Sequence, residues 1–470
     1  VGPGDPGLRG AAPASLIDPV AGVDASAGPA LRRLLRWRSA CVIALGSPLL
    51  VTVSFGPMAA EIGTASLLVW TATGFVGLVQ CLLIAELASR FPHRAGGAPA
   101  YAHEGLKHVS PLFGAAAAWS YWVGWIPGIA INLTLAAAYL RAAFWPGANV
   151  LAVTLALVGI LYALNRLGLR CSAWLAGVMA SCALIPLLLI LAAPLVRTGA
   201  WHWANFTPLL PHRGSAPPST TAGLLLKWAF VAAWSAYGAE MVATMTGELR
   251  DPWRDIPRAI GLTAVATLGA FALIPTLLVG TVGSAGLAED PYVVFLTAAR
   301  ATLGRIGAQV VAVMLVGSLI LSAQLFLISS SRALHQMSRD GLSLRIYSAV
   351  NRHGAPSGSM AWDLLLTLSL LAVFRDDVVD VVASANVGYL LVFVLVPLAF
   401  ILVRRRDTAE RPWFLLRPFP VAVAWAVLAF NLVLLVFGGL QWGLGVMALG
   451  LLLVLSFLPC HVLARLRRRH

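Results

Sequence analysis

Charge is what this 470-residue chain has least of: Asp, Glu, Lys and Arg together make up 11% of it, against 59% apolar residues. An average soluble domain carries roughly 25% charged residues. There is too little polar surface to cover one or several water-soluble globules, and a soluble enzyme is all but excluded. Cysteine is scarce too. The five present (Cys41, Cys81, Cys171, Cys182 and Cys460) form no CxxC or Cys/His pattern, so neither a disulfide framework nor a zinc site is expected, and they read as small apolar packing residues. The nine histidines show no HxxxxD or HExxH spacing, and no GxSxG or Walker sequence occurs. A membrane-embedded lipid or acyl transferase would need such a polar cluster at an interface; no catalytic residue, metal or cofactor is assigned. Strand-sized alternation is also missing.

Long uncharged runs are what the chain has instead, at 39–60, 62–85, 108–140, 142–165, 171–196, 259–288, 306–331, 381–403 and 418–464. A bilayer-spanning helix needs about 20 apolar residues, and backbone amides inside lipid must bond internally, so these runs are read as helices. The last run holds two, divided at Gly438-Gly439. Two further spans carry an acid each: 222–246, with Glu240 near its middle, and 359–375, with Asp363 at one end. The expectation is an all-α polytopic membrane protein with twelve transmembrane helices.

The net charge of +14 rests on 31 arginines and two lysines. In a soluble chain it would suggest nucleic acid; here the basic residues lie between spans. With the N-terminus in the cytoplasm, 26 of them fall on cytoplasmic segments and seven outside (Arg141, Arg197, Arg213, Lys227, Arg300, Arg305 and Arg375). That asymmetry is the positive-inside rule, and it places both termini in the cytoplasm of a multi-pass protein of the cell membrane. The expected organisation is a disordered basic tail over 1–38, a first block of five spans over 39–196 and an extracellular loop over 197–221. A second block of five spans follows over 222–403, then a cytoplasmic loop over 404–417, two C-terminal spans over 418–463 and a basic tail over 464–470.

An odd number of spans per block turns the second block upside down relative to the first, which is the parity of a five-plus-five inverted repeat. In transporters built this way the first helix of each block breaks near the midplane, and half-helix ends and freed backbone groups bind the solute there. Block one offers Gly46-Ser47-Pro48 and Thr52-Val53-Ser54-Phe55-Gly56-Pro57; block two offers Trp234-Ser235-Ala236-Tyr237-Gly238-Ala239-Glu240. A carboxylate in mid-span costs several kcal/mol by insertion scales and must pair, protonate or face a water-filled cavity. Glu240 therefore reads either as a proton carrier or as a neutral acid bonded to a neighbouring helix. An aromatic before a helix break, such as Trp234, can close over a solute and contact an ammonium through its ring face.

The segment Trp234-Ser235, Gly238, Glu240, Glu248, Asp251-Pro252 and Asp255-Ile256-Pro257-Arg258-Ala259-Ile260 resembles span six and the following loop of the amino acid–polyamine–organocation superfamily. Glu86-Leu87-Ala88 with Phe91-Pro92, Gly96-Gly97 and Tyr101 is similar to that family's second span and loop. Ser331-Arg332 through Met337, Arg339-Asp340-Gly341 and Asn351 to Pro356 is similar to the end of its eighth span. The resemblance implies the LeuT-like fold and alternating-access transport of an amino acid or related amine, with Trp234 as the aromatic over the substrate and Glu240 as the acid that senses protons in some members. The family's Gly-rich break in span one is replaced here by Leu50-Val51-Thr52, which leaves two candidate breaks, Ser54 to Pro57 or Gly46 to Pro48. Thr52, Ser54 and Gly56 are assigned to the substrate carboxylate, with Trp234, Tyr237 and Gly238 completing the substrate site. The lysine that some proton-coupled members carry in span five is replaced by Ala183.

Ser318 and Ser322, on one face of span eight, read either as part of a sodium site or as helix-packing donors. Glu86 and Arg332 read either as a cytoplasmic gate pair or as helix-end anchors. Asn132, Gln324, Asn386 and Tyr389 line the pathway or bond between helices. The leading expectation is a permease for an amino acid or small organic amine, proton-coupled or exchanging, with H+ favoured over Na+ and the lipid bilayer as its environment. A polyamine or amino-alcohol carrier, a membrane-embedded enzyme and a non-transporting receptor are the alternatives.

Overall fold

The computed structural model describes residues 35–44, 51–168, 174–175, 177–178, 201–209, 218–289, 291, 293–373, 378–406 and 419–469. Among them the chain is helical, and the one β feature is an isolated bridge between Leu35 and Leu249. The helices are α1 (Trp37–Ala44), α2 (Val51–Ile62), α3 (Ser66–Arg90), α4 (Ala98–Leu106), α5 (Pro111–Ala143) and α6 (Val150–Arg166). After these come α7 (Pro218–Ala236), a 3-10 segment Gly238–Glu248, α8 (Pro252–Glu289), α9 (Val294–Arg339), α10 (Ser357–Val373) and α11 (Val378–Arg406). Then α12 (Pro420–Val433) passes through one wide turn, Leu434–Gly438, before α13 (Leu444–Leu455) and α14 (Phe457–Arg469).

Local chemistry sets the helix starts. The Ser110 side chain accepts the Leu112 N–H at 3.2 Å and Pro111 follows as the first helical residue of α5, a position where proline's missing N–H leaves nothing unpaired. The Asn149 side chain caps α6 in the same way, accepting from Ala152 N–H at 3.1 Å.

Among the described residues, seven helical stretches are long and apolar enough to cross a membrane: Ser54–Arg90, Pro111–Ala143, Pro252–Glu289, Val294–Arg339, Val379–Arg406, Pro420–Gly438 and Leu444–Arg467. Val150–Arg166 and Ser357–Ala372 are apolar but shorter. The chain is thus an all-helical, polytopic membrane protein. Its apolar side chains also face outward, with Phe75, Ile160, Leu262, Ile306 and Leu452 more than half exposed, as lipid contact requires and water would not favour.

The helices pack in two sets. In one, α3 lies along α8 and α7, with α2 against α8 and α7. In the other, α5 lies along α9 and α11 and also touches α6 and α10. Ion pairs and hydrogen bonds fix the two ends of the molecule. At one end, rich in arginine, Arg404 meets Glu86 at 2.7 Å, Arg94 meets Glu104 at 2.5 Å and Asp340 at 3.0 Å, and Asn351 bonds the Arg166 carbonyl. At the other end Lys227 on α7 pairs with Glu61 on α2 at 2.8 Å, and its ammonium stands 4.7 Å from the Trp442 ring centre.

Two expected boundaries move. Trp37 and Arg38 already belong to α1, and residues 464–469 continue α14 rather than forming a separate tail. The expectations for residues 1–34, for Gly46 to Pro48, for most of 171–196 including Cys171, Cys182 and Ala183, and for 407–417 lie outside the described residues. Cys41 and Cys81 are buried and free, in keeping with packing roles.

Candidate substrate and coupling site

The site begins where α7 stops. Its last residue is Ala236; Tyr237 follows as a single junction residue, and the chain continues in the tighter 3-10 winding from Gly238 to Glu248. A change of winding re-aims backbone groups at that point. The neighbouring helix leaves room for it through Gly77 on α3, where a Cβ would stand 2.4 Å from the Ala236 carbonyl oxygen. Any side chain there would push into the helix end.

Glu240, three residues beyond the junction, is completely buried. The Tyr121 hydroxyl on α5 donates to its Oε1 at 2.7 Å, while Oε2 has no partner among the described residues. Tyr121, which holds this carboxylate, belongs to a cluster of packed aromatic rings. Trp234 lies 5.1 Å from Trp125 and 5.5 Å from Phe326, centre to centre; Trp125 stacks on Phe326 at 4.9 Å and meets Tyr389 edge-on at 4.5 Å. Tyr121 stands 6.2 Å from Trp125. Ring faces are electronegative, so a group of rings beside a carboxylate suits an ammonium.

The ring cluster fits because α5 is notched. Gly128 has no side chain where a Cβ would meet the Phe326 ring at 2.6 Å and Trp234 at 3.0 Å, and the Gly124 carbonyl accepts the Trp234 indole N–H at 2.9 Å. Tyr237 turns the other way: its hydroxyl donates to Asn431 Oδ1 on α12 at 2.8 Å and its ring packs on Phe393 at 4.9 Å.

Several of these bonds cross between the two helix sets. Tyr121 to Glu240 and Trp234 to Gly124 do so at the core; nearer the arginine-rich end, Thr244 meets Ser329 at 3.4 Å and Arg332 on α9 closes on Glu248 with both carboxylate oxygens engaged. Movement of one set against the other has to break them.

An amino acid permease family model matches residues 35–457. The chain belongs to that family. The amino-acid permease RocE of Bacillus subtilis (strain 168) is 27% identical over 408 residues, covering 82% of this chain and 83% of the relative. The lysine-specific permease LysP of Escherichia coli (strain K12) is 25% identical over 359 residues, 71% and 69% of the two chains. The cadaverine/lysine antiporter of the same strain is 25% identical over 305 residues, 63% and 65%. This permease is an integral membrane transporter of the amino acid and amine class rather than an enzyme of known type.

The residues singled out from the sequence of the permease divide into three groups. Trp234, Gly238 and Glu240 meet at the junction, with Tyr389 among the rings. Ser54 on α2 is buried with its hydroxyl unpartnered. The others are placed as follows. Ser54 to Pro57 lie inside the continuous turns of α2, so the first of the two candidate breaks is absent there, and the second falls outside the described residues. Thr52 belongs to the same helix. Gly56 is a close-packing glycine, since a Cβ on it would strike the Pro291 carbonyl. Glu86 pairs with Arg90 and Arg404 rather than Arg332, because it shares the α3 end with Arg90 one turn away and α11 brings Arg404 alongside; Arg332 has Glu248. Ser318 and Ser322 both donate back to carbonyls of their own helix, Met314 and Ser318, the bonding of packed membrane serines.

Tyr121, Trp125, Phe326 and the glycines of α5 were not singled out. The signal was present as Tyr121-Trp122-Val123-Gly124-Trp125-Ile126-Pro127-Gly128, a run of aromatics and helix-weakening residues within one apolar span. Asn386 bonds the Phe230 carbonyl at 2.5 Å and Asn132 the Gly128 carbonyl at 2.7 Å, so both amides tie backbone.

Proposed function

We propose that this permease carries an amino acid or small organic amine bearing one ammonium group across the cell membrane by alternating access, coupled to protons or to counter-substrate. The observation that carries the reading is Glu240: a buried acid at a helix junction, held by Tyr121, whose ring packs on Trp125 in the cluster with Trp234 and Phe326, with its other oxygen unpartnered among the described residues. The ammonium of a solute would take the free oxygen and the ring faces, and polar groups at the Ala236 end and the Ser54 hydroxyl would take its other end. No second acid enters this ring cluster among the described residues, which supports one ammonium over a polyamine. The relatives named for lysine and for cadaverine/lysine exchange support the same class and favour exchange as a mode.

The two packed helix sets support a rocking motion in which α2, α3, α7 and α8 turn against α5, α9 and α10. On this reading α1 with α2 is span one, α3 span two, α5 and α6 spans three and four, and α7 with its 3-10 continuation span six; α8 to α11 are spans seven to ten and α12 to α14 form two C-terminal spans. With the 171–196 run, largely outside the described residues, as span five, twelve spans arise from a LeuT-like five-plus-five inverted repeat, with the arginine-rich end and both termini in the cytoplasm. Glu240 gains or loses a proton as the Tyr121 bond breaks and reforms. Accumulation of radiolabelled lysine, arginine or neutral amino acids in proteoliposomes, with and without an imposed pH gradient and with and without internal amine, tests this. Time-dependent uptake stimulated by either is the expected result; binding without accumulation would leave a receptor instead.

A further inference from the structure

Besides Glu240 and the acids paired to arginines, another acid lies buried in the transporter, and nothing in the coupling scheme above uses it. Asp363, in the second turn of α10, is completely buried between α5 and α9. The Trp122 indole N–H donates to Oδ1 at 2.5 Å and the Ser330 hydroxyl lies 3.0 Å from Oδ2. Both partners are uncharged. Ionisable groups lie on the elements packed against α10, and the charge of Arg332 and the Tyr162 hydroxyl both interact with Asp363. On α9, Arg332 closes on Glu248, and His335 is buried. Tyr162 on α6 shares a hydrogen bond with Thr367, and Arg166 ends α6. Arg345 and Tyr347 lie on the short turn before α10, where Tyr347 meets Cys460. On α5, Tyr121 points to Glu240.

Ser330 is what makes this acid more than a fixed tie. Its hydroxyl oxygen lies 3.0 Å from Asp363 Oδ2 and 3.4 Å from the Leu327 carbonyl. When the acid is ionised, the serine O–H donates to Oδ2. When a proton from water bonds Oδ2, the new O–H donates to the Ser330 oxygen and the serine hydrogen turns to Leu327. Trp122, a donor only, stays on Oδ1 in both cases. Each form is satisfied with no movement of backbone. A narrow cleft, too tight to hold water, lies beside Asn165, Ser331, Arg332, Ala355 and Met360; Met360 is one turn before Asp363, and Ser331 is next to Ser330.

We propose that Asp363 is a second proton-binding site, sensed across α5, whose consecutive residues Tyr121 and Trp122 hold Glu240 and Asp363 on its two flanks. The consequence for coupling rests on the transport reading above; the proton site itself does not.

The test is infrared difference titration of the full-length protein in liposomes, with isotope-labelled aspartate to isolate aspartyl carboxyl bands. Wild type is expected to show a buried aspartyl carboxyl band that appears and disappears with pH, and Asp363→Asn to lose it while Glu240→Gln keeps it. Identical aspartyl spectra in wild type and Asp363→Asn overturn the proposal. Should Asp363→Asn fail to fold, Ser330→Ala carries the test: the swivelling partner is gone and the band's midpoint is expected to move, whereas an unmoved midpoint overturns the proposal. If radiolabelled substrates are never accumulated, the transport reading fails, and the band still decides Asp363.

Discussion

The hydrogen bond from Tyr121 to Glu240 spans the boundary between the two helix sets, and its removal is the sharpest probe of the site. Tyr121→Phe deletes one hydroxyl and keeps the ring against Trp125 and Tyr389. A hydrogen bond to a charged group is worth about 1.5–3 kcal/mol net, which converts to about 10- to 150-fold in a rate or binding constant. Because Glu240 Oε2 lacks a partner among the described residues, none of them is in place to absorb the loss. The assay is initial uptake of labelled amino acid at subsaturating concentration in proteoliposomes, compared across wild type, Tyr121→Phe, Glu240→Gln and the double variant. Each single change is expected to reduce uptake, and the coupling energy of the cycle to be about 1.5–3 kcal/mol. If Tyr121→Phe costs as much in the Glu240→Gln background as in wild type, to within the roughly 0.5 kcal/mol by which independent sites add, the bond has no role in transport.

Trp234→Phe keeps the ring contacts but loses the indole bond to the Gly124 carbonyl, so uptake should fall by about two- to tenfold for about 0.5–1.5 kcal/mol, at unchanged membrane insertion measured by surface labelling. Gly77→Ala puts a methyl group 2.4 Å from the Ala236 oxygen and should destabilise by about 1–3 kcal/mol, lowering the melting temperature in detergent; Gly159→Ala, which meets nothing within 4 Å, is the neutral control. Glu248→Gln strips the charge partner from buried Arg332, and a broken buried pair costs about 3–5 kcal/mol; cysteine-labelling access from the arginine-rich end should rise. His103 on α4 is held below its usual value of 6.5 chiefly by burial, against the opposing pull of Asp340 and Glu104. The unfolded chain therefore takes up its proton first as pH falls below that value, and stability contributed here is lost toward acid. His103→Gln should flatten the acid side of a melting-temperature profile.

The span pattern was legible because lipid imposes it: a run of some 20 residues without charge has few alternatives to a helix. Glu240 was legible for the same reason, as an expense that a membrane helix does not carry idly. What composition could not convey is which way a carboxylate faces. Asp363 read as an acid at one end of a span over 359–375, yet it is sealed between α5 and α9. Arg332 and Glu86 read either as gate partners or as helix-end anchors because both close an inner helix end. Their pairing was decided by which elements pass nearby, Glu248 for one and Arg404 for the other, and that is a matter of packing across 84 and 318 residues of chain.

The ring cluster shows the same limit from the other side. Trp234 could be placed at a junction from sequence because the helix-weakening residues that follow it are adjacent in the chain. Its partners Trp125 and Phe326 come from helices about 110 and 90 residues away and are ordinary apolar residues of their spans. Only the glycines betray them: Gly124 and Gly128 bracket Pro127 one turn apart on α5, and at Gly128 a side chain would occupy the space the rings use. A small residue in a membrane helix marks close approach without saying of what. The identity of the approaching group, and so the difference between a packing notch and one wall of a binding site, is written in the other helices.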